Sequence, residues 1–266
     1  MYFVEKQVKI LNLEGEETES FSLPSVFQTP IRQDVINRVY VALASHNIQP
    51  QGRDPLAGER TSAESGHPPT GRGISRIPRV KGERYSKSGM AAAVASVVHG
   101  RMAHPPRSEK VIRKGVNKKE RYLALASAVA ATGDQDLVSK RGHKFSSKLP
   151  IVVTSDIENI TKVRELKKFL SAVGADKDLE RAGRRRKKVS SALATIVRPG
   201  VGPLIVVSSG SKLGGIAKSM EGLTIAKSSS LSVLDLAPGS APGRLTIWTK
   251  GSLESLSKNV LNIGGN

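Results

Sequence analysis

Residues 149–154, Leu149-Pro150-Ile151-Val152-Val153-Thr154, followed by apolar positions at Val163, Leu166, Leu170 and Val173 and then Gly174, decide the fold. The first segment is a short continuous apolar run with β-branched side chains, as expected of a strand buried on both faces. The second has helical spacing, opens at Thr161 and stops at a glycine, the residue that most readily closes a helix. The same grammar continues downstream. Leu204–Val207 reads as a strand followed by a Gly/Ser turn and a short helix. Leu223–Ala226 and Leu231–Leu234 are candidates for short strands, Leu245–Thr249 is a strand, and Leu253, Leu256 and Val260 mark a final helix. Strands alternating with helices imply an α/β fold whose mostly parallel sheet is covered on both faces.

Upstream, residues 2–13 alternate loosely and begin a small sheet. Thr29-Pro30 reads as a helix start with proline at the first helical position, where its missing N–H is harmless. Ile31, Val35, Ile36, Val39, Tyr40 and Leu43 form the apolar face of that helix. Further on, Ser108-Glu109 can open a helix, and Asn117 with Glu120 resembles a capping box ahead of an apolar face at Tyr122, Leu125, Ala126 and Val129.

Between these stretches the pattern changes. Residues 47–107 hold seven of the 14 prolines, a single leucine (Leu56), no Phe and no Trp. No helical or strand period is sustained, and the small apolar run Met90 to Val98 is not assignable to either state. So long a structureless insertion is functional or disordered. Ordering it costs roughly 1–2 kcal/mol per residue in backbone entropy, which its apolar content cannot offset. Gly and Pro alternate there with singly placed arginines, the expected make-up of an extension that is mobile alone and orders on a polyanion. Doubled back, about 30 residues per arm reach at most roughly 100 Å.

Composition points the same way. The 266 residues carry 42 Lys+Arg against 23 Asp+Glu, a formal net charge of +19 and a pI near 10.3. Such an excess repels itself unless a polyanion neutralises it, and each phosphate neutralised also releases counterions. No apolar run approaches the length of a membrane span, and the N-terminus lacks the signal-peptide pattern. The absence of cysteine excludes disulfides, thiol catalysis and cysteine-ligated zinc. Aromatics are 4%, so stacking cannot be the main mode of binding and backbone electrostatics must dominate.

A second basic run, Arg181-Ala182-Gly183-Arg184-Arg185-Arg186-Lys187-Lys188, is either a solvated face or a phosphate-contacting arm, and the global charge favours the arm. Ser208–Gly215 resembles a phosphate-binding turn but has neither the P-loop nor the dinucleotide spacing, so a plain strand-to-helix turn is expected. His46, His67, His99, His104 and His143 show no metal-ligand spacing. His104 and His143 fit hydrogen bonds to RNA or backbone better than chemistry. Asp156 and Glu158, just after a strand, could serve a nuclease; a carboxylate favoured near a helix start is the stronger reading. No catalytic set, metal site or cofactor fingerprint is found.

The chain closely resembles the universal large-subunit ribosomal protein four family, in its archaeal and eukaryotic branch. The matching residues include Pro30–Val39, Gln49–Arg53, Arg60–Ser65, Arg76–Gly82, Ala103-His104-Pro105-Pro106 and Asn117–Arg121. They continue through Ala126-Ser127-Ala128, Arg141-Gly142-His143, Leu236–Gly239 and Pro242–Thr249. Two stretches depart from the family pattern, Gly66-His67-Pro68-Pro69 and Ser190–Val197. The long C-terminal tail of the eukaryotic branch does not follow, so the archaeal type is expected.

The resemblance implies a three-layer α/β/α domain, residues 1–46 and 108–266, with residues 47–107 as an extended loop threading large-subunit ribosomal RNA and lining the peptide exit tunnel. The expected RNA contacts are Arg53, Arg60, Arg72, Arg76, Arg79, Lys81, Arg84, Arg101 and Arg107 in the loop. Lys118, Lys119, Arg121, Arg184, Arg185 and Arg186 are expected to join them from the domain. Thr70, Gly71, Arg72 and Gly73 would form the tip by the tunnel wall. The implied partners are ribosomal RNA, neighbouring large-subunit proteins and the nascent peptide, in the cytoplasm, with no membrane, metal or cofactor. Rival readings are an RNA-modifying or RNA-cleaving enzyme and a free-standing regulator of messenger RNA.

Overall fold

The structure is a computed structural model. It describes residues 7–184, 187–190, 195–198, 200–208, 213–217 and 219–261; for 187–190, 195–198, 217 and 257–261 it describes the backbone only. The chain divides into two compact units, one built from residues up to 45 and from 114 onward, the other from 46–113.

In the first unit, strands β1 (Gln7–Leu11) and β2 (Glu17–Ser22) lead to helix α1 (Gln33–Ser45). The second unit holds β3 (Ala63–Ser65) and β4 (Pro78–Val80). The first unit resumes with α2 (Lys118–Ala131), α3 (Gln135–Lys140), β5 (Ile151–Val153), α4 (Val163–Ala172) and α5 (Asp176–Arg184). A hairpin of β6 (Lys187–Ser190) and β7 (Thr195–Arg198) follows, pairing Lys187 with Arg198 and Ser190 with Thr195. Then come β8 (Leu204–Val207), α6 (Leu213–Ala217), β9 (Thr224–Lys227), α7 (Val233–Leu236), β10 (Thr246–Thr249) and α8 (Lys250–Leu261).

Six strands form one sheet in the order β2-β1-β5-β10-β8-β9, parallel except for β2, which pairs antiparallel with β1. Because side chains alternate across a strand, the apolar runs feed two cores. Val152, Leu204, Val206 and Trp248 face a core closed by α1, α2, α7 and α8. Ile151, Val153, Ile205, Val207 and Ile247 face another, closed chiefly by Leu166, Phe169 and Leu170 of α4. This is the expected α/β fold with a mostly parallel sheet covered on both faces. Trp248 is fully buried, and its ring meets the ring of Phe27 edge-on at 5.7 Å.

Several local expectations need correction. Helix α1 begins at Gln33, not at Pro30: Ser127 Oγ donates to the Pro30 carbonyl (2.8 Å) and accepts from Arg32 N–H (2.7 Å), which ties residues 30–32 to α2 in a non-helical course. No helix opens at Ser108; α2 begins at Lys118. Asn117 does occupy its N-cap position but makes no side-chain cap bond, and the Glu120 carboxylate pairs with Arg38 Nε (3.2 Å). Leu231–Leu234 is not a strand: Ser232 and Asp235 form a reciprocal capping box that starts α7. The antiparallel β2, the helices α3 and α5 and the β6–β7 hairpin are absent from the sequence reading. In the turn after β8, residues 209–212 lie outside the described residues.

Candidate nucleic-acid interface

The unit of residues 46–113 is the structure's most unusual feature. Every residue in it is described and none is buried. Its backbone doubles back on itself. A Cβ added at Gly52 would lie 3.0 Å from the Ser108 side chain, and one at Gly58 only 2.5 Å from the Arg101 backbone nitrogen, so the two arms touch where glycines permit it. Farther out, β3 and β4 pair antiparallel, Ala63 opposite Val80 and Ser65 opposite Pro78. The run Met90–Val98 forms no helix or strand; instead Ala91 makes a single bridge to Arg79 on the other side of β4. Thr70, Gly71, Arg72 and Gly73 are exposed within the segment that closes this hairpin. Gly71 (φ 93°) and Gly73 (φ 66°) adopt the left-handed conformation there.

The expected loop residues divide by how their charge is held. Arg60 forks onto the Asp54 carboxylate (2.5 and 3.0 Å), Lys81 pairs with Glu64, and Arg101 lies 3.7 Å from Glu59. Arg76 reaches the Thr70 hydroxyl (3.0 Å), and Arg79 donates to the Gly89 carbonyl (2.8 Å). Arg53, Arg72, Arg84 and Arg107 make no side-chain hydrogen bond or ion pair among the described residues. A cleft of about 380 Å³ brings Arg53, Arg101 and Arg107 together with Asp54, Glu59 and Glu109. The pairs that do exist are exposed, each worth about 0–1 kcal/mol, so they orient the side chains without committing them. The unit carries twelve Lys and Arg against five Asp and Glu, and its basic series runs on to Lys110 and Arg113 beyond the expected limit at 107.

In the other unit, Lys118, Lys119 and Arg121 are exposed on the first turn of α2. Cations are disfavoured at a helix N-terminus, so the helix itself gives no reason for three of them. Arg184 is different: it sits in the last turn of α5, where a cation is favoured, and pairs with Glu180 (3.4 Å). Arg185 and Arg186 lie outside the described residues.

Two residues expected to meet RNA turn inward. Arg181, from the basic run, donates Nε–H to Asp178 Oδ1 (2.8 Å) and Nη2–H to the Val201 carbonyl (2.7 Å). His143 is buried and donates Nδ1–H to Asp178 Oδ2 (2.8 Å), so its partner is a carboxylate rather than RNA or backbone. Arg244 falls in the matched stretch Pro242–Thr249, but the sequence reading gives it no role. It is 4% exposed and donates to the Gly202 carbonyl (3.0 Å), the Asp235 carbonyl (2.8 Å) and Thr224 Oγ1 (2.8 Å). Burial pushes its guanidinium down to about 10, still charged at neutral pH. These groups gather at the amino-terminal edge of the sheet and hold loops there.

Burial also lowers the pKa of His143, an effect that the Asp178 hydrogen bond opposes only in part. The unfolded chain therefore takes up that proton first, at about pH 6.5. The stability His143 contributes is full above that pH and is lost as the pH falls toward the depressed folded value. The midpoint of thermal unfolding is expected to drop between pH 7 and pH 5, and His143→Gln to reduce that drop. An unchanged pH slope in the variant would refute the assignment.

At the carboxyl edge the chain leaves β5 toward one face of the sheet and β10 toward the other, the place where open α/β sheets leave a ligand crevice. Here Glu158 fills it. Its carboxylate accepts from Ser208 N (2.8 Å), Ser208 Oγ (2.6 Å) and Thr249 Oγ1 (2.8 Å). It joins the ends of β8 and β10 and, as the helix-start reading expects, stands with Asp156 in the first turn of a short 3-10 helix, Ser155–Asn159. Asp156 is exposed beside it. Among the described residues no group of three or more His, Asp or Glu could hold a metal, and no helix is long and apolar enough to cross a membrane.

The model of the ribosomal protein L4/L1 family matches residues 21–259. Large ribosomal subunit protein uL4 of Methanopyrus kandleri is 42% identical over 261 residues, 96% of this chain and 99% of the relative. The proteins of the same name from Sulfolobus acidocaldarius and Aeropyrum pernix are each 41% identical, covering 94% and 96% of this chain and 94% and 93% of their own length.

Proposed function

The chain belongs to the ribosomal protein L4/L1 family and is a structural constituent of the large ribosomal subunit, and we propose that residues 46–113 bind large-subunit ribosomal RNA and order together with it. One observation carries this reading: a unit of that length has no buried residue and a marked excess of Lys and Arg. With no core, conformational entropy opposes a fixed shape, and phosphate contacts with counterion release supply what burial does not. Arginine suits the task because its planar fork binds phosphate through two bonds and stacks on bases.

In this reading Arg53, Arg72, Arg84 and Arg107, which have no side-chain partner among the described residues, meet phosphates first. Arg60, Arg76, Arg79, Lys81 and Arg101 exchange their exposed internal partners for RNA. Lys118, Lys119 and Arg121, with Arg184, Arg185 and Arg186, extend the contact from the α/β unit. Thr70–Gly73 stand at the wall of the peptide exit tunnel, where two left-handed glycines leave the backbone open to RNA and to the nascent peptide. Neighbouring large-subunit proteins complete the surroundings, in the cytoplasm. The work is assembly and wall-building; no bond is made or broken and no cofactor is needed.

Sedimentation in gentle salt tests the reading: most of the protein is expected to travel with large subunits, with RNA crosslinks falling on peptides from residues 46–113. A chain that stays at the top of the gradient, bound to messenger RNA or to nothing, would contradict it.

A further inference from the structure

Among the clefts that the described residues of the α/β unit form, three are of similar size, and the chemistry of their walls separates them. One is bordered by Glu14 and Glu165 with Lys168, another by Asp176, Glu180 and Glu221 with Lys167, so in both the carboxylates outnumber the cation and disfavour a phosphodiester. The third, about 410 Å³, has no carboxylate among its lining residues. Leu43, Leu125 and Leu231 form its apolar walls, Tyr122 adds an aromatic ring, and Arg121 and Ser229 stand at its margin.

From these walls we infer that this cleft receives one unstacked nucleotide of RNA, its base against Tyr122 and the leucines and its phosphate on Arg121. The inference rests on the reading of the chain as an RNA-binding protein and names a specific subsite for it. A volume of this order suits a small planar ligand, and an apolar cleft with a few polar groups is the usual form of such sites. RNA is read sequence-specifically where bases leave the stack and lie on an aromatic or guanidinium plane. Tyr122 is half-buried, so its ring is already held. Neither the Arg121 guanidinium nor the Ser229 hydroxyl is engaged by another group among the described residues, so both are available to a ligand. Lys118 lies one turn earlier on the same face of α2, placed for the neighbouring phosphate. The low aromatic content of the chain is consistent with a single stacking site beside a mainly electrostatic interface.

Fluorescence anisotropy with the full chain tests this, using a labelled oligoadenylate of about eight nucleotides and an RNA duplex of matching length. Loss of one base–aromatic stack is worth about tenfold in affinity. Tyr122→Leu is expected to weaken single-strand binding by about that factor and to leave duplex binding unchanged, while Tyr122→Phe keeps the ring and binds as the parent does. Arg121→Ala, at an exposed position that leaves the fold intact, should also weaken the single strand more than the duplex. If the parent binds both RNAs and neither Tyr122→Leu nor Arg121→Ala changes their ratio, the subsite is refuted while the wider reading stands. If the parent binds neither RNA, the wider reading falls and the subsite with it.

Discussion

A chain in which a short Gly/Ser linker replaces residues 60–84 is expected to keep its α/β unit folded while losing RNA affinity by on the order of a thousandfold at moderate salt. The deletion removes Arg60, Arg72, Arg76, Arg79, Lys81 and Arg84. If each meets one phosphate, the slope of log K against log salt flattens by roughly 4 to 5, at about 0.7–0.9 per contact. The slope is the more diagnostic readout, since it counts displaced counterions. Thermal stability should change little, within about 0.5 kcal/mol, because no residue in the deleted stretch is buried. Large subunits assembled with the shortened protein are expected to be altered at the tunnel wall. Parent-like salt dependence in the deletion would move the RNA contacts elsewhere.

The second large effect concerns stability alone. Asp178 is fully buried and its carboxylate accepts from His143 Nδ1 (2.8 Å), Lys144 N (3.0 Å) and Arg181 Nε (2.8 Å). Burial by itself pushes this carboxyl up, but the bonds from His143, Arg181 and the Lys144 amide outweigh it and hold the pKa below the usual value. Asp178→Ala leaves the buried His143 without its acceptor, the Lys144 amide without a partner and the Arg181 charge half-buried and uncompensated. Breaking one side of a buried pair costs about 3–5 kcal/mol. For a unit of this size that lowers Tm by roughly 10 °C. Asp178→Asn retains an acceptor oxygen and should lose less. Differential scanning calorimetry decides it; a parent-like Tm in Asp178→Ala would mean that the network contributes nothing to stability.

The contrast between these two regions explains how much could be read from the chain. Ile151–Val153, Leu204–Val207 and the α4 pattern ending at Gly174 were legible because burial on two faces forces continuous apolar runs and helix ends call for particular residues. The irregular insertion was legible through the absence of such patterns. The start of α1 was misread because proline at a helix start is only a local preference, and Ser127, far along the chain, overrides it with two hydrogen bonds. Arg181 looked like its neighbours in the basic run, yet its role depends on Asp178 and on the carbonyl of Val201. Arg244 lies in the matched stretch Pro242–Thr249, but no local pattern marks its role, since its acceptors are two main-chain carbonyls and one hydroxyl. Local patterns therefore revealed the sheet and the basic loop, whereas a charge neutralised by distant partners looked the same as one left exposed.

Amide hydrogen exchange over residues 46–113, with and without ribosomal RNA, addresses the central claim directly. Lacking a core of its own, the segment should exchange in the free chain almost as fast as an unfolded peptide and become strongly protected once the polyanion is bound. Slow exchange there in the free protein, at the level of β5 and β10, would mean that the segment holds its shape unaided.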